Sequence, residues 1–209
     1  MMKKQIAALV LGVSVAGGVG TGVLANALTT ETPAAGATGD KTTGTSTTTA
    51  SPASPSDLVL APGRVGDVFV GMSKDAAMAT GLFNADTPPA VDGCPVLPLT
   101  WKKAYADILD VQTLGNGEIA SIGVRGKLIR TKDGLGIGST YAEVRAAIED
   151  RTPVEAGYDQ SGLFEYDAEA GGWIGYLFNP PVTELKDSDP VTFVEVTKGA
   201  QPGLMRDGC

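Results

Sequence analysis

The sequence predicts an α+β domain in which two tandem strand–helix–hairpin repeats share one antiparallel sheet, with the helices on one face. The first observation behind this prediction is that residues 66–81 and 133–148 follow the same order of apolar strand, glycine turn, hydroxyl residue and amphipathic helix. The second is that the apolar spacing of residues 119–124 returns in residues 191–196. Internal similarity of this kind indicates stacked structural repeats. We place repeat one at about 65–130 and repeat two at about 131–209.

The two helix starts are the best-defined local features. Thr140 is followed three positions later by Glu143, which is the capping-box pattern that satisfies two helix N-terminal amides. In the first copy Ser73 can cap the helix, but Ala76 stands where the glutamate would be. Gly81 is predicted to end that first helix, because glycine tolerates the left-handed conformation common after a helix.

Two strand pairs are predicted beyond the helices. Residues 109–113 and 119–124 flank a Gly-Asn-Gly turn and form a hairpin. The apolar spacing of the return strand breaks strict alternation by one residue, which predicts a β-bulge. Residues 163–167 and 173–178 form the second pair.

The N-terminal part of the chain has the composition of an export signal and a spacer. Residues 1–27 combine two lysines, an uncharged apolar run and small residues at the cleavage positions, which predicts a signal peptide. The alternative is an uncleaved membrane anchor, since the apolar run is long enough to span a bilayer. Residues 28–57 are rich in Thr, Ser, Pro and Ala and are predicted to be a disordered linker. The folded domain is therefore expected at 58–209.

Charge and composition exclude several kinds of function. The formal net charge is −8, so the protein is a poor partner for nucleic acid, and we expect membrane contact only through the N-terminal segment. The chain has no histidine, which removes Ser–His and Cys–His nucleophile pairs and the usual zinc sites. No cofactor-binding motif is present, and no catalytic residue is assigned.

The two cysteines are Cys94 and Cys209. In an exported chain an even number of cysteines most simply indicates one disulfide, which would fasten the C-terminus onto repeat one. A redox-active or intermolecular thiol is the alternative. Cys94 lies in the proline-rich segment 86–99, which is predicted to be a loop.

The acidic residues allow one catalytic hypothesis. Glu165 and Asp167 could form an acid–base pair. Their spacing places them on one face of a strand, and we expect that face to be exposed to solvent. A carboxylate-based hydrolase such as a glycosidase is therefore an alternative function.

The aromatic residues are concentrated in repeat two and predict a partner surface. Strand alternation places Trp173 and Leu177 on the outward face, beside Leu163. An exposed Trp and Leu on an open sheet face is typical of a protein-binding patch, unless a loop or the linker covers it. The residues that the same alternation assigns to the core are Phe164, Tyr166, Ile174, Tyr176 and Phe178.

Several motifs resemble known exported proteins. The phrases KLIRTKDGLGIGSTYAEVR and VFVGMSKDAA, with a D-G-C at Cys94 and another at Cys209, resemble a group of uncharacterised exported proteins of actinobacteria over about residues 65–209. The resemblance implies an exported two-repeat domain with a Cys94–Cys209 bridge. More distantly, the repeat is similar to those of the secreted β-lactamase inhibitory protein and of small lipoproteins of outer-membrane assembly, which implies protein binding without catalysis. This chain has no lipid-modified cysteine and no disulfide within each repeat, so no binding residue is carried over.

The sequence thus predicts an extracellular or cell-surface module that binds or scaffolds an unidentified protein partner and is not an enzyme. An inhibitor of a secreted hydrolase is a narrower alternative.

Overall fold

The computed structural model describes residues 53–89 and 92–205. The predicted signal peptide and residues 28–52 of the predicted linker lie outside the described residues. Ala53 lies before the predicted domain boundary at residue 58, and its carbonyl oxygen accepts a hydrogen bond from the Tyr105 hydroxyl at 2.6 Å.

The chain forms eleven strands, three α-helices and two short 3-10 turns within these residues. The strands are β1 (Leu60–Ala61), β2 (Arg64–Val65), β3 (Val68–Phe69), β4 (Phe83–Thr87), β5 (Leu97–Trp101), β6 (Leu109–Thr113), β7 (Ile119–Val124), β8 (Val154–Ala156), β9 (Gln160–Asp167), β10 (Gly172–Phe178) and β11 (Val191–Lys198). The helices are α1 (Lys74–Ala79), α2 (Lys103–Ala106) and α3 (Tyr141–Ala147), and the 3-10 turns are Pro55–Asp57 and Val182–Glu184.

Antiparallel pairing dominates the fold. The largest sheet has the order β6-β7-β11-β10-β9-β8, and β1-β2-β3 and β4-β5 form two smaller sheets. All strand pairs within these sheets are antiparallel. The predicted α+β class is confirmed. The prediction of a loop over 86–99 is wrong at both ends. Its first residues belong to β4 and its last residues belong to β5, and these two strands pair with each other.

The main core lies on the face of the six-stranded sheet that carries Ile122, Ile174 and Tyr176, here called the inner face. Buried residues of all three helices belong to this core: Ala77 of α1, Tyr105 of α2, and Tyr141 and Val144 of α3. The helices therefore cover the inner face, and burial of apolar surface against them is the main stabilising contribution.

The helix starts follow the sequence prediction. The Thr140 side chain accepts a hydrogen bond from the Glu143 amide at 3.3 Å, and the Glu143 carboxylate accepts one from the Thr140 amide at 2.7 Å. These hydrogen bonds lower the pKa of Glu143. Ser73 accepts from the Ala76 amide, and Gly81, with φ +73°, follows the end of α1. Both predicted caps and the predicted helix end are confirmed.

Each of these helix starts is tied to a central strand by a reciprocal pair of backbone hydrogen bonds. Gly71 donates to the Ile119 carbonyl at 2.8 Å, and Ile119 donates to the Met72 carbonyl at 3.0 Å. In the second half, Gly138 donates to Val191 at 2.9 Å, and Val191 donates to Ser139 at 2.8 Å. The two sets of bonds place the two helices on β7 and β11 in the same local geometry.

The broken alternation in β7 and β11 produces two bulges. Thr113 pairs with Ile119 and Gln112 with Ser121, so Ala120 is an extra residue. Phe178 pairs with Val191 and Leu177 with Phe193, so Thr192 is extra in β11. The predicted β-bulge is confirmed.

The C-terminal segment 200–205 covers the part of the outer face around Leu177 and Phe193. The Leu204 amide donates a hydrogen bond to the buried Glu195 carboxylate at 2.7 Å, and the Leu204 side chain packs with Leu177 and Phe193. Gly162 and Gly175 form a notch for this side chain, because a Cβ atom at either position would lie within 3.0 Å of it. The segment gives this sheet a second, smaller apolar cluster.

Leu204→Ala is predicted to lower the free energy of unfolding by about 2–3 kcal/mol, because it removes the leucine that fills the notch. Met205→Ala is the matched control, since the neighbouring Met205 is exposed and its loss should stay within about 0.5 kcal/mol. Urea unfolding of both variants measures the difference. Equal loss in the two variants would contradict the packing described for Leu204.

Candidate functional site

A cavity of about 390 Å³ opens beside the inner face at the end formed by β9 and β10. We call it the Tyr176 pocket. Its lining residues are Val59, Leu60, Ala61, Pro62, Arg64, Thr131, Lys132, Asp133, Leu135, Ala147, Glu165, Asp167, Ala170 and Tyr176. This volume is within the range of sites that hold small molecules or single side chains.

One wall comes from the turn between β1 and β2. Gly63 donates a backbone hydrogen bond to the Trp173 carbonyl at 3.0 Å. Gly172 allows this approach, because a Cβ atom there would lie 2.7 Å from the Pro62 carbonyl group. Only glycine at this strand start lets the N-terminal strands form a wall against β10.

A second wall is the loop 131–135, which is held by its own hydrogen bonds. Thr131 donates to the Leu135 carbonyl at 2.8 Å, and its side chain accepts from the Leu135 amide at 3.0 Å. Arg130 donates to the Gly134 carbonyl at 2.7 Å, and its own carbonyl accepts from Leu60 at 2.9 Å. The loop that carries Lys132 and Asp133 is therefore joined to the strand wall through the backbone.

Tyr176 is fully buried, and its hydroxyl group makes no hydrogen bond with any described residue. Burial raises the pKa of this phenol, with further contributions from the carboxylates of Glu165 and Asp133. Glu165 and Asp133 both line the pocket together with Tyr176. A buried hydroxyl without a partner costs about 1–3 kcal/mol. A ligand or water in the pocket would remove that cost.

Glu165 is the second polar group of the pocket without a partner within the described part of the chain. It lies in β9 opposite Ile174, so it shares the inner face with Tyr176. The Glu165 side chain is half-buried. The prediction that it lies on a solvent-exposed face is therefore wrong. Burial raises the pKa of its carboxyl group, and the negative charges of Asp133, Asp167 and Glu149 raise it further.

Two cations also line the pocket. Arg64 and Lys132 are exposed, and no ion pair within residues 53–89 and 92–205 joins either of them to Glu165, Asp133 or Asp167. Asp167 instead accepts the Glu169 and Ala170 amides in the turn after β9. The charged groups that raise the pKa of Glu165 are carboxylates, although Arg64 and Lys132 also line the pocket.

The predicted partner surface is not an exposed patch. Leu163 is 0% exposed and pairs with Tyr176 on the inner face, and Leu177 is 6% exposed beneath Leu204. Trp173 is half-buried and packs against Tyr166, which is 49% exposed, with ring centroids 4.6 Å apart. The prediction is wrong for two reasons. The side chains of β9 point to the opposite faces from those predicted, so Leu163 lies on the inner face. The C-terminal segment covers Leu177.

The facing of β9 also corrects two core assignments. Phe164 and Tyr166 lie on the outer face, where Phe164 packs against the smaller cluster. Ile174, Tyr176 and Phe178 are fully buried in the main core, as predicted.

The predicted disulfide stays a prediction. Cys94 lies between β4 and β5, but Cys209 is outside the described residues.

Sequence reasoning singled out Glu165 and Asp167, but it treated Tyr176 as a core residue and missed Asp133. Tyr176 stands between Ile174 and Phe178 on the inner face of β10, and its hydroxyl is the one signal in this strand for a polar group at this position. Among the described residues, no group of three or more His, Cys, Asp or Glu side chains is placed to hold a metal ion. None of the described helices has the length and apolar character needed to cross a bilayer.

Comparison with known proteins leaves the function open. No family profile matches the chain, and no curated protein matches it. Among solved structures, the chain is similar to the uncharacterized protein yfeY from Escherichia coli, with 17% identity and a TM-score of 0.40, over 62% of this chain and 90% of that one.

Glu165→Gln is predicted to change how stability depends on pH. Because the folded protein binds the Glu165 proton more tightly than the unfolded chain does, the wild-type free energy of unfolding falls as pH rises above the usual glutamate pKa of 4.5. The variant has no carboxyl group at this position and does not lose this free energy. Its stability relative to wild type should therefore increase as the pH is raised from about pH 4 to about pH 8.

Thermal unfolding across this pH range measures the effect. The control is Glu169→Gln, at an exposed position in the turn between β9 and β10, which should follow the wild-type profile. Parallel profiles for wild type and Glu165→Gln would contradict the raised pKa.

Proposed function

We propose that the protein is an exported, non-catalytic binding module of the cell surface or surrounding medium, and that it binds its partner through the Tyr176 pocket. The observation that carries this proposal is the buried Tyr176 hydroxyl, which has no hydrogen-bond partner among the described residues and belongs to a residue that lines one cavity together with the half-buried Glu165. Buried polar groups are normally hydrogen-bonded within a protein, so a buried hydroxyl without a partner beside a cavity favours a ligand site.

We further propose that the domain consists of two tandem copies of one unit, about 65–130 and 131–209. The reciprocal hydrogen bonds at both helix starts and the equivalent bulges support this. The pairing of β7 with β11 supports it too, because Ile122 pairs with Val196 and Val124 with Val194, around Gly123. Residues that are 72 positions apart thus exchange places across this pair, as an internal two-fold axis requires.

The duplication gives a reason to regard Tyr176 as functional. Tyr176 pairs with Val194, and Val111 pairs with the corresponding Ile122. The first copy therefore has an aliphatic residue where the second has a buried hydroxyl. Since an aliphatic side chain suits the sheet at this position, packing alone does not account for the hydroxyl of Tyr176.

Filling the pocket should abolish binding. Ala147 lines the Tyr176 pocket from the end of α3, whereas its neighbour Ala146 lines only an adjoining depression, which shares Asp133, Leu135 and Ala147 with the pocket. We predict that Ala147→Trp loses the protein partner recovered by wild type from culture medium or cell envelope, while Ala146→Trp keeps it. Unfolding temperatures establish that both variants are folded.

Recovery of the same partner by both tryptophan variants would exclude the pocket as the binding site. Failure of wild type to retain any protein above a bead-only background would count against the binding function as a whole.

A carboxylate-based hydrolase is a second candidate, and the raised pKa of Glu165 favours it, because a general acid must hold its proton near neutral pH. Chromogenic glycosides provide the test. If the pocket is catalytic, wild type hydrolyses one of them and Glu165→Gln lowers the rate by about 10²–10⁴-fold. Absence of turnover by wild type, or equal rates, would remove this candidate.

A further inference from the structure

The polar groups of the Tyr176 pocket that have no hydrogen-bond partner define which hydrogen-bonding groups a ligand must supply. An ionised Glu165 carboxylate can only accept hydrogen bonds, and the Tyr176 hydroxyl oxygen can accept them as well. Neither group has a partner among the described residues. A ligand group with several N–H donors would satisfy both at once.

The carboxylates around Glu165 favour a positively charged ligand. Three further carboxylates act on it, those of Asp133, Asp167 and Glu149. The carboxylates of Glu165 and Asp133 also act on the Tyr176 hydroxyl. Arg64 and Lys132 also line the pocket, but neither forms an ion pair with Glu165, Asp133 or Asp167 within the described residues.

Apolar side chains line the pocket as well. Leu60, Pro62, Leu135 and Ala147 line the pocket together with the acidic groups. An aliphatic chain that ends in a charged group matches such a site, since its stem packs against apolar side chains while its head reaches the carboxylates. The volume of about 390 Å³ accommodates a stem of this kind more readily than it surrounds a bare metal ion.

We propose that the Tyr176 pocket binds a primary ammonium or guanidinium group on an aliphatic stem, with Glu165 and Asp133 as anionic partners and the Tyr176 oxygen as an uncharged acceptor. This inference rests on the proposed binding function and names its ligand chemistry. The same group occurs in a lysine or arginine side chain of a partner protein and in a free small amine.

The test is titration of the full chain, followed by the NMR shifts of amides in the loop 131–135 and in β9. The probes are n-butylamine, n-butylguanidinium and Nα-acetyl-lysine methylamide, and butanol and butyrate are the neutral and anionic controls. The cationic probes should bind at least about tenfold more tightly than butanol at low ionic strength, and added salt should weaken them.

Two variants assign the contacts. Glu165→Gln should weaken butylamine binding by about tenfold, and Tyr176→Phe should weaken it by a smaller factor, because only an uncharged acceptor is lost. Glu169→Gln should bind as wild type does. Tighter binding of Nα-acetyl-lysine methylamide than of n-butylamine indicates a protein side chain as the source, and the reverse order indicates a small amine.

Equal affinity for butanol, tighter binding of butyrate, or no shift with any probe would overturn the proposal, as would micromolar Ca²⁺ producing the same shifts. If any of these titration results is obtained while Ala147→Trp still abolishes partner recovery, only the proposed ligand chemistry is rejected. If recovery is also insensitive to Ala147→Trp, the proposed function fails with it.

Discussion

The antiparallel pairing of β7 with β11 is the constraint on which the rest of the structure depends. It joins a hairpin from the first half of the chain to four strands from the second, and so creates one inner face that the buried residues of all three helices can share. Without this pairing, each half would expose an apolar strand edge and a small, incomplete core. Gly123 and Glu195 face each other at its centre.

The candidate site depends on that sheet indirectly. Once β10 is held between β9 and β11, its first residue, Gly172, is available for the close approach of the N-terminal turn at Pro62. The N-terminal turn and the hydrogen-bonded loop 131–135 line the same cavity as Tyr176. The cavity is therefore built from segments that are distant in sequence, on a rigid strand base, which is the usual arrangement for binding groups that must be held in place.

Local features were predictable because their causes are local. The capping box at Thr140 and the β-bulge at Ala120 depend on side chains and spacing within a few residues, and the sequence contains all of that information. The β4–β5 hairpin was missed because its prolines argue against a strand. Prolines are tolerated there since the sheet has only two strands, both of them edges.

The error in β9 has a different cause. Leu163 and Phe164 are both apolar, and both are covered, one by the main core and the other beside Leu204. When both faces of a strand are apolar, alternation alone does not select the inward set, and a shift of one residue reverses every assignment. The C-terminal segment that makes the outer face apolar lies far along the chain, so only the folded structure reveals its position.

The amino-acid sequence by itself therefore determined the α+β class, the helix caps, the central hairpin and the acidic character of the chain, because each follows from neighbouring residues or from composition. The tertiary structure decided which face of β9 is inside, what covers the outer face, and that Glu165, Asp133 and the Tyr176 hydroxyl share one cavity. Those outcomes arise from contacts between distant segments, whose packing free energies are set by shape and burial that no local pattern specifies.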